Sequence, residues 1–500
     1  MNSQENNVRL VFHQIPINNR IFVLDVGTSS VFEFDAPALE VLQALAQPLN
    51  SDATELLAGN GTAVSEAFHE LRGLISDGFF KPDQMPAQPM PYAGVPRELH
   101  LALTYRCTLR CRYCYAHSEA AGADDHHQLD MPQEVVEAAL DWAMNSFAAQ
   151  SDTLNIWTGT TGETLLQPRA LEYVKEQAAK LAASSGKTIT PVVHTTNFTL
   201  SDRAEIYAQF ADKDNWWRVS IDGPKHIHDA IRQFPDGTGS YDKIAPMLKQ
   251  LLADKERADR YKAAATITGK FPQITEIFTH LYELGFNTII LRPVRLAADH
   301  PLAINTQTIG AVKQGYSDFV EFLLSQNSEM LLKYLKCIWH SFDYFGRLMV
   351  RVVARTRAPY RCGAGKWIAG VDTNGDIYPC GPMIGLAAAK MGNVFTGVNK
   401  AIQRLYDEDL LVNRKPGCKE CWARYLCGGG CYVSAFLAHQ HAETPNPWDC
   451  ELMRHLLELA IYLVSRLREE HPTLLPALYN WSKERDIIHE GSYMSMQHKQ

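Results

Sequence analysis

From residue 98 onward, short apolar runs alternate with stretches whose apolar residues recur every three or four positions. The runs are LHLALTY, TLNIWTG, TPVVHTTN, WRVSID, AAATIT and TIILRPV, and the periodic stretches cover about 133–147, 171–183, 244–254 and 274–284. Runs rich in β-branched and aromatic residues predict strands, and the 3.6-residue period predicts helices. Six strands interleaved with four such helices imply an α/β fold with a mostly parallel sheet wrapped by helices. Their length suits a partial (β/α)6 barrel over 98–305 better than a complete eight-unit one. Ligands on such sheets gather at the carboxyl ends of the strands.

Upstream, the pattern changes. Strand-like segments near 10–16, 20–26 and 30–34 precede two helical patterns at 37–46 and 64–76, and Gly78 closes the second. Residues 1–82 therefore read as a small independent α+β module. Pro82, Pro86, Pro89, Pro91 and Pro96 cannot continue a helix or central strand, so 83–97 reads as a linker. Downstream of the barrel come a helical bridge over 306–360, a cysteine-rich domain over 361–455, and a C-terminal helix and tail over 456–500.

Bulk composition narrows the class. The chain has 500 residues, 48 basic against 56 acidic, for a net charge of −8. Such an acidic balance opposes non-specific nucleic-acid binding, and no nucleic-acid partner is expected. The first residues lack the basic and apolar regions of a secretion signal, and apolar runs such as 456–464 are too short to span a bilayer. A cytoplasmic protein with no membrane partner is expected.

Eleven cysteines are present. An odd number without an export signal argues against a disulfide framework. Ten fall into two groups, which reads as metal ligation; Cys337, standing apart, reads as a small buried hydrophobe. The first group, Cys107-Thr-Leu-Arg-Cys111-Arg-Tyr-Cys114, follows the first barrel strand. Three thiolates so close can hold one corner of an iron–sulfur cubane and leave one iron open. The alternative is a zinc site with a distant fourth ligand. The second group comprises Cys362, Cys380, Cys418, Cys421, Cys427, Cys431 and Cys450. Taken alone, 418–431 also allows a zinc knuckle, hence a non-catalytic interaction protein.

The CxxxCxΦC loop resembles that of the radical S-adenosylmethionine (SAM) superfamily. The resemblance implies a [4Fe–4S] cluster on Cys107, Cys111 and Cys114 whose open iron binds the methionine end of SAM. Reductive cleavage of SAM then yields a 5′-deoxyadenosyl radical that takes a hydrogen atom from substrate. Tyr113 would lie against adenine. Thr160-Thr161-Gly162-Glu163-Thr164 keeps one Gly and the Glu of the family's Gly-Gly-Glu-Pro, which implies Gly162 and Glu163 at the methionine ammonium. Thr196-Asn197-Phe198 resembles the family's Thr-Asn-Gly. Ser220-Ile-Asp222-Gly-Pro, followed by His228-Asp229 and Arg232, resembles peptide-modifying members. Asn197, Ser220, Asp222, Arg232, Thr268 and Arg292 complete the implied SAM contacts. For Asp222 and Arg232 a loop-stabilising salt bridge is the competing reading, and His194 reads as a core histidine.

The seven later cysteines, with Gly375 five residues before Cys380, resemble the SPASM extension of radical enzymes that act on peptides. That implies two auxiliary [4Fe–4S] clusters, making three in all. Cys418, Cys421, Cys427 and Cys450 would hold one; Cys362, Cys380 and Cys431 would hold the other. Some relatives add a cysteine where this chain has Ile368, so the second auxiliary cluster is expected to have an open iron or a non-cysteine ligand. The N-terminal module resembles the winged-helix-like recognition element of maturases of ribosomally made peptides. It implies a precursor peptide whose leader binds that module, and an electron donor such as flavodoxin or ferredoxin. The function so implied is radical cross-linking of a precursor peptide through a thioether, C–C or C–O bond. The alternatives are formylglycine formation, as in anaerobic sulfatase maturases, and the zinc-binding protein above.

Overall fold

The computed structural model describes residues 10–46, 62–81, 94–117, 129–203, 206, 210 and 216–484. The proline-rich stretch 82–93 and the tail beyond 484 lie outside the described residues.

Strands β4 (Arg97–Leu101), β5 (Thr153–Thr158), β6 (Thr188–Thr196), β7 (Trp216–Ser220), β8 (Tyr261–Ile267) and β9 (Thr288–Pro293) lie side by side in chain order, all parallel. This is the parallel α/β sheet the alternating pattern predicts. Helices cover its outer face, so alternate residues of β8 (YKAAATI), Tyr261, Ala263, Ala265 and Ile267, are all at most 2% exposed. The expected helices form at Gln133–Trp142, Pro168–Ser185, Tyr241–Leu252 and Ile274–Glu283. The first continues as a π-helical turn over Ala143–Phe147, and the second ends at Gly186 with φ +69°, a left-handed cap that suits glycine.

The sheet does not stop at six strands. β10 (Ile368–Val371) adds to β4 in parallel, and β11 (Asp376–Tyr378), β12 (Gly392–Asn393) and β13 (Gly397–Val398) extend it antiparallel to ten. Leu99, Leu101 and Ile156 of the barrel share one apolar core with Ala369, Val371, Tyr378 and Tyr432. The cysteine-rich region is thus welded to the barrel by backbone and core together. No local period signals this, because four-, three- and two-residue strands carry too few positions to show one. Helices Ile309–Leu324, Ser328–Ile338 and Gly346–Val353 lie between barrel and cysteine-rich region, and the long helix Pro447–Glu470 packs on the first and third of them.

At the N-terminus, β1 (Phe12–Ile17), β2 (Arg20–Asp25) and β3 (Ser30–Phe34) form an antiparallel sheet in that order, followed by helices Ala36–Leu45 and Thr62–Ser76. Its two faces bury different surfaces. Val23 packs with Val41, Leu42, Leu71 and Phe80 in the module's own core. Phe22, Leu24 and Ile15 join the main core, and His13 stacks on Trp422 at 4.3 Å between ring centroids. The module is docked by its sheet, which explains why β2 reads RIFVLD rather than a strict alternation.

Candidate active site

One cavity of about 430 Å³ opens at the carboxyl ends of the barrel strands. Cys107, Cys111 and Cys114 line it, and so do Cys362 and Cys380 of the second group. Tyr113, Gly162, Glu163, Asn197, Ser220, Arg232 and Arg292 are also on its wall, as is Ile368. Asp222 and Thr268 are not. Asp222 is fully buried beneath the wall, and Thr268 is a buried turn residue whose hydroxyl accepts from the Phe271 N–H at 3.2 Å.

The first cysteine loop is held from three sides. Gly162 N–H donates to the Thr104 carbonyl and Glu163 N–H to the Arg106 carbonyl, both at 2.8 Å, lacing the 160–163 loop to the start of the cysteine loop. A Cβ on Gly162 would stand 2.3 Å from the Arg106 carbonyl oxygen, so the one glycine this loop keeps is the one its packing requires. Thr161 uses its hydroxyl to donate to the Thr104 carbonyl at 2.7 Å. Asn197 Nδ2 donates to Thr108 at 2.9 Å and to Cys107 Sγ at 3.4 Å. Phe198 adopts φ +65°, the left-handed backbone glycine takes freely, with its ring buried against Phe210 at 4.5 Å. Burial of that ring offsets a strain of about 1–2 kcal/mol.

The third support is a charged pair. Arg232 donates from Nε to Asp222 Oδ2 at 2.8 Å and from Nη2 to Oδ1 at 3.3 Å. Tyr113 donates its hydroxyl to Asp222 Oδ2 at 2.6 Å, and the Thr266 N–H donates to Oδ1 at 2.9 Å. The Arg232 guanidinium lies 5.3 Å from the Tyr113 ring centroid, with Nη1 3.9 Å from Cys111 Sγ. Asp222 and Arg232 therefore bind each other and orient the cysteine loop. Tyr241 and His228, through Asp229 and Ser240, brace the turn below.

Burial dominates the electrostatics. It pushes the Cys107 and Cys111 thiols up to about 11, so they bind protons until a metal displaces them. It raises Glu163 to about 7, against the backbone N–H groups of Asn197 (2.7 Å) and Leu165 (3.3 Å) that favour its ionised form.

Around the second group, Gly428, Gly429 and Gly430 separate Cys427 from Cys431, all with positive φ. A Cβ on Gly428 would meet the Tyr360 carbonyl oxygen at 2.3 Å. The sequence showed this GGG run, but its need for left-handed backbone was not read from it. Asp449 accepts from the Cys431 N–H at 2.9 Å and from the Tyr344 hydroxyl at 2.6 Å. Lys415 is fully buried and donates to the Gly429 carbonyl at 2.8 Å, while Arg351 and Arg361 both donate to the Cys427 carbonyl. Burial works against ionising Cys431, but Arg295 holds it below the ordinary thiol range. These cations went unnoticed in the sequence because they are scattered along it. Cys337 is buried among apolar residues and His194 is a core histidine bonded to Thr158 at 2.8 Å.

Among the described residues, no three His, Cys, Asp or Glu side chains form a group that could hold a single metal ion. A cubane binds its thiolates at separate irons, and thiols in loops around an open cavity fit that arrangement. The N–H groups aimed at Cys107 and Cys111 are the kind that tune such a cluster.

Residues 101–253 match the family model described as the Radical SAM superfamily. A match to that family implies SAM and a [4Fe–4S] cluster. The chain is similar to the serine-type anaerobic sulfatase-maturating enzyme of Bacteroides thetaiotaomicron, 25% identical over 352 residues, covering 66% of this chain and 81% of that protein. It is also similar to the cysteine-type enzyme of Clostridium perfringens, 22% identical over 353 residues, covering 65% and 85%. Among solved structures, native anSMEcpe with bound AdoMet and Cp18Cys peptide matches with a TM-score of 0.57 at 18% identity, over 77% of this chain and 99% of that one. No helix among the described residues is long and apolar enough to cross a membrane.

Proposed function

We propose that this enzyme modifies a residue of a ribosomally made precursor peptide, installing a thioether, C–C or C–O cross-link. The observation that carries the reading is the shared cavity: a peptide side chain inside it faces both the Cys107–Cys114 loop and Cys362 and Cys380. A solved structure of similar fold, which has a peptide bound, supports a peptide substrate.

When bound, SAM and the clusters supply a carbon radical and a sink for the second electron. The chain's own residues bind and orient. Cys107, Cys111 and Cys114 hold the first cluster; Tyr113, fixed by Asp222, backs the adenine; Asn197 and Ser220 line the SAM path. Glu163, on the cavity wall, would accept from the methionine ammonium. Cys418, Cys421, Cys427 and Cys450 hold one auxiliary cluster, and Cys362, Cys380 and Cys431 the other, where Ile368 supplies no fourth thiolate. A flavodoxin or ferredoxin delivers the electron, and the reaction takes place in the cytoplasm.

The N-terminal module favours a precursor peptide over a folded protein. Among the described residues β3 pairs only with β2, and just before β1 the Val11 N–H donates to the Phe80 carbonyl at 2.9 Å. An extended leader can add to the open β3 edge by main-chain hydrogen bonds. A second reading, formylglycine formation, draws support from the curated relatives.

Co-expression with a small peptide encoded beside the gene, followed by mass spectrometry, separates the two. A cross-link removes two hydrogens and suppresses fragment ions between the joined residues. Formylglycine instead gives an aldehyde that hydrazides capture, and an unmodified peptide sinks both.

A further inference from the structure

Seven arginines and two glutamates line the cavity. Most of these cations have an evident task. Arg232 is paired with Asp222, Arg351 and Arg361 tie down the Leu426–Cys427 carbonyls, and Arg295 faces Cys431. Arg218, Arg292 and Arg347 remain. Arg292 donates from Nε to the Phe342 carbonyl at 3.2 Å, and Arg347 from Nε to the Ser341 carbonyl at 2.6 Å. Adjacent carbonyls of one loop thus anchor two guanidinium groups by their inner nitrogens, leaving the terminal forks to the cavity. Arg218 bonds only the Thr195 hydroxyl and lies 5.6 Å from the Trp157 ring centroid.

Among the described residues, no carboxylate forms an ion pair with these three. Asp343, the nearest acid on that loop, is spent on the Leu291 and Gly346 N–H groups at 2.8 and 2.6 Å. Burial, then the mutual repulsion of Arg218, Arg295 and Arg347, drives Arg292 well below its ordinary value. Arg218 is lowered by burial too, with Glu98 acting against that, and of the three only Arg347 has a cysteine, Cys362, among the main charges acting on it. Like charges gathered without a directly bonded carboxylate are costly in a buried site, and a planar fork suits a carboxylate.

Building on the peptide reading, and assigning Arg292 to the peptide rather than to SAM as its strand-end position had implied, we propose that Arg218, Arg292 and Arg347 form a receptor for a carboxylate of the substrate, so the segment entering the cavity is acidic at or beside the residue modified. The carboxylate comes from an Asp or Glu side chain or from a peptide C-terminus.

The test is equilibrium binding to anaerobically reconstituted enzyme with SAM present and no reductant. The probes are acetyl-Gly-Glu-Gly-amide, its Gln counterpart, and acetyl-Gly-Gly-Gly with a free C-terminus. A carboxylate probe should bind at least about tenfold more tightly than the Gln peptide, the scale of one charged hydrogen-bonded pair. Whether the Glu or the free-terminus peptide shows that preference identifies the source. Arg292→Gln and Arg347→Gln should bring the preference to within about twofold, and Arg292→Lys should retain part of it, cluster absorbance confirming the fold. Equal affinity for all three probes, binding of none, or an unchanged preference in the variants overturns the receptor. Failure of the peptide reading looks different: carboxylate probes bind with this preference, yet no peptide is modified on co-expression.

Discussion

The two cysteine groups are built in opposite ways. Cys107, Cys111 and Cys114 sit on one loop, and their supports arrive from neighbouring strand ends: Gly162 after β5, Asn197 after β6, Asp222 after β7. The later seven are spread from 362 to 450 and meet only after β10 has joined β4 and the helix Pro447–Glu470 has packed. The charge arrangement differs as well. The first loop rests on a neutralised Arg232–Asp222 pair, whereas Lys415, Arg351 and Arg361 stand by the second group with backbone carbonyls as their bonded partners. A local loop can be damaged without harm to the rest of the fold; a group assembled by tertiary packing cannot.

The largest expected effect follows from that asymmetry. Replacing Cys107, Cys111 and Cys114 together by Ala should abolish SAM cleavage while about eight of about twelve irons remain, as iron analysis and electron paramagnetic resonance would show. Loss of all iron would mean that the two groups are not separate. Next, Asp222→Asn leaves Arg232 buried without its counter-charge. Thermal unfolding should report about 3–5 kcal/mol of lost stability, and SAM cleavage should fall by 10–100-fold, on the order seen when supports of metal ligands are removed. Gly428→Ala should act on the other side of the comparison, costing about 2 kcal/mol and lowering auxiliary iron content while SAM affinity stays unchanged.

A pH series sharpens the first site alone. Glu163 ionises near 7, so SAM affinity should rise by about tenfold between about pH 6 and 8, and Glu163→Gln should flatten the profile. The same shift has the opposite sign for the empty fold. A carboxyl raised above its ordinary value contributes most stability below about 4.5 and loses it as the pH climbs toward 7. Smallest of all, Arg20→Ala removes the contacts with Glu33 and Glu469 that link the N-terminal sheet to the helix Pro447–Glu470. These partners are part-exposed, so denaturation should register no more than about 1 kcal/mol.

Local features were legible in the sequence because their cause is local. The six barrel strands show as apolar runs, and the eight-residue cysteine loop carries its own signature. Asp222 and Arg232 were visible as a motif, yet only the fold shows them bound to each other. What was illegible is what distance assembles: β10 beside β4, the N-terminal sheet buried on both faces, and arginines from 218 to 361 converging on one cavity. Phe198 is instructive in between. The sequence shows a glycine replaced, and the structure shows the glycine backbone kept, stabilised by a buried ring.

The most direct test of hydrogen abstraction from a peptide is isotope transfer. The peptide encoded beside the gene is prepared fully deuterated at carbon and incubated with reconstituted enzyme, SAM and reductant, and the 5′-deoxyadenosine is weighed by mass spectrometry. The expected product carries one deuterium with the intact enzyme and is not formed by the Cys107, Cys111 and Cys114 variant. Unlabelled 5′-deoxyadenosine accompanying a modified peptide would contradict hydrogen abstraction from that peptide.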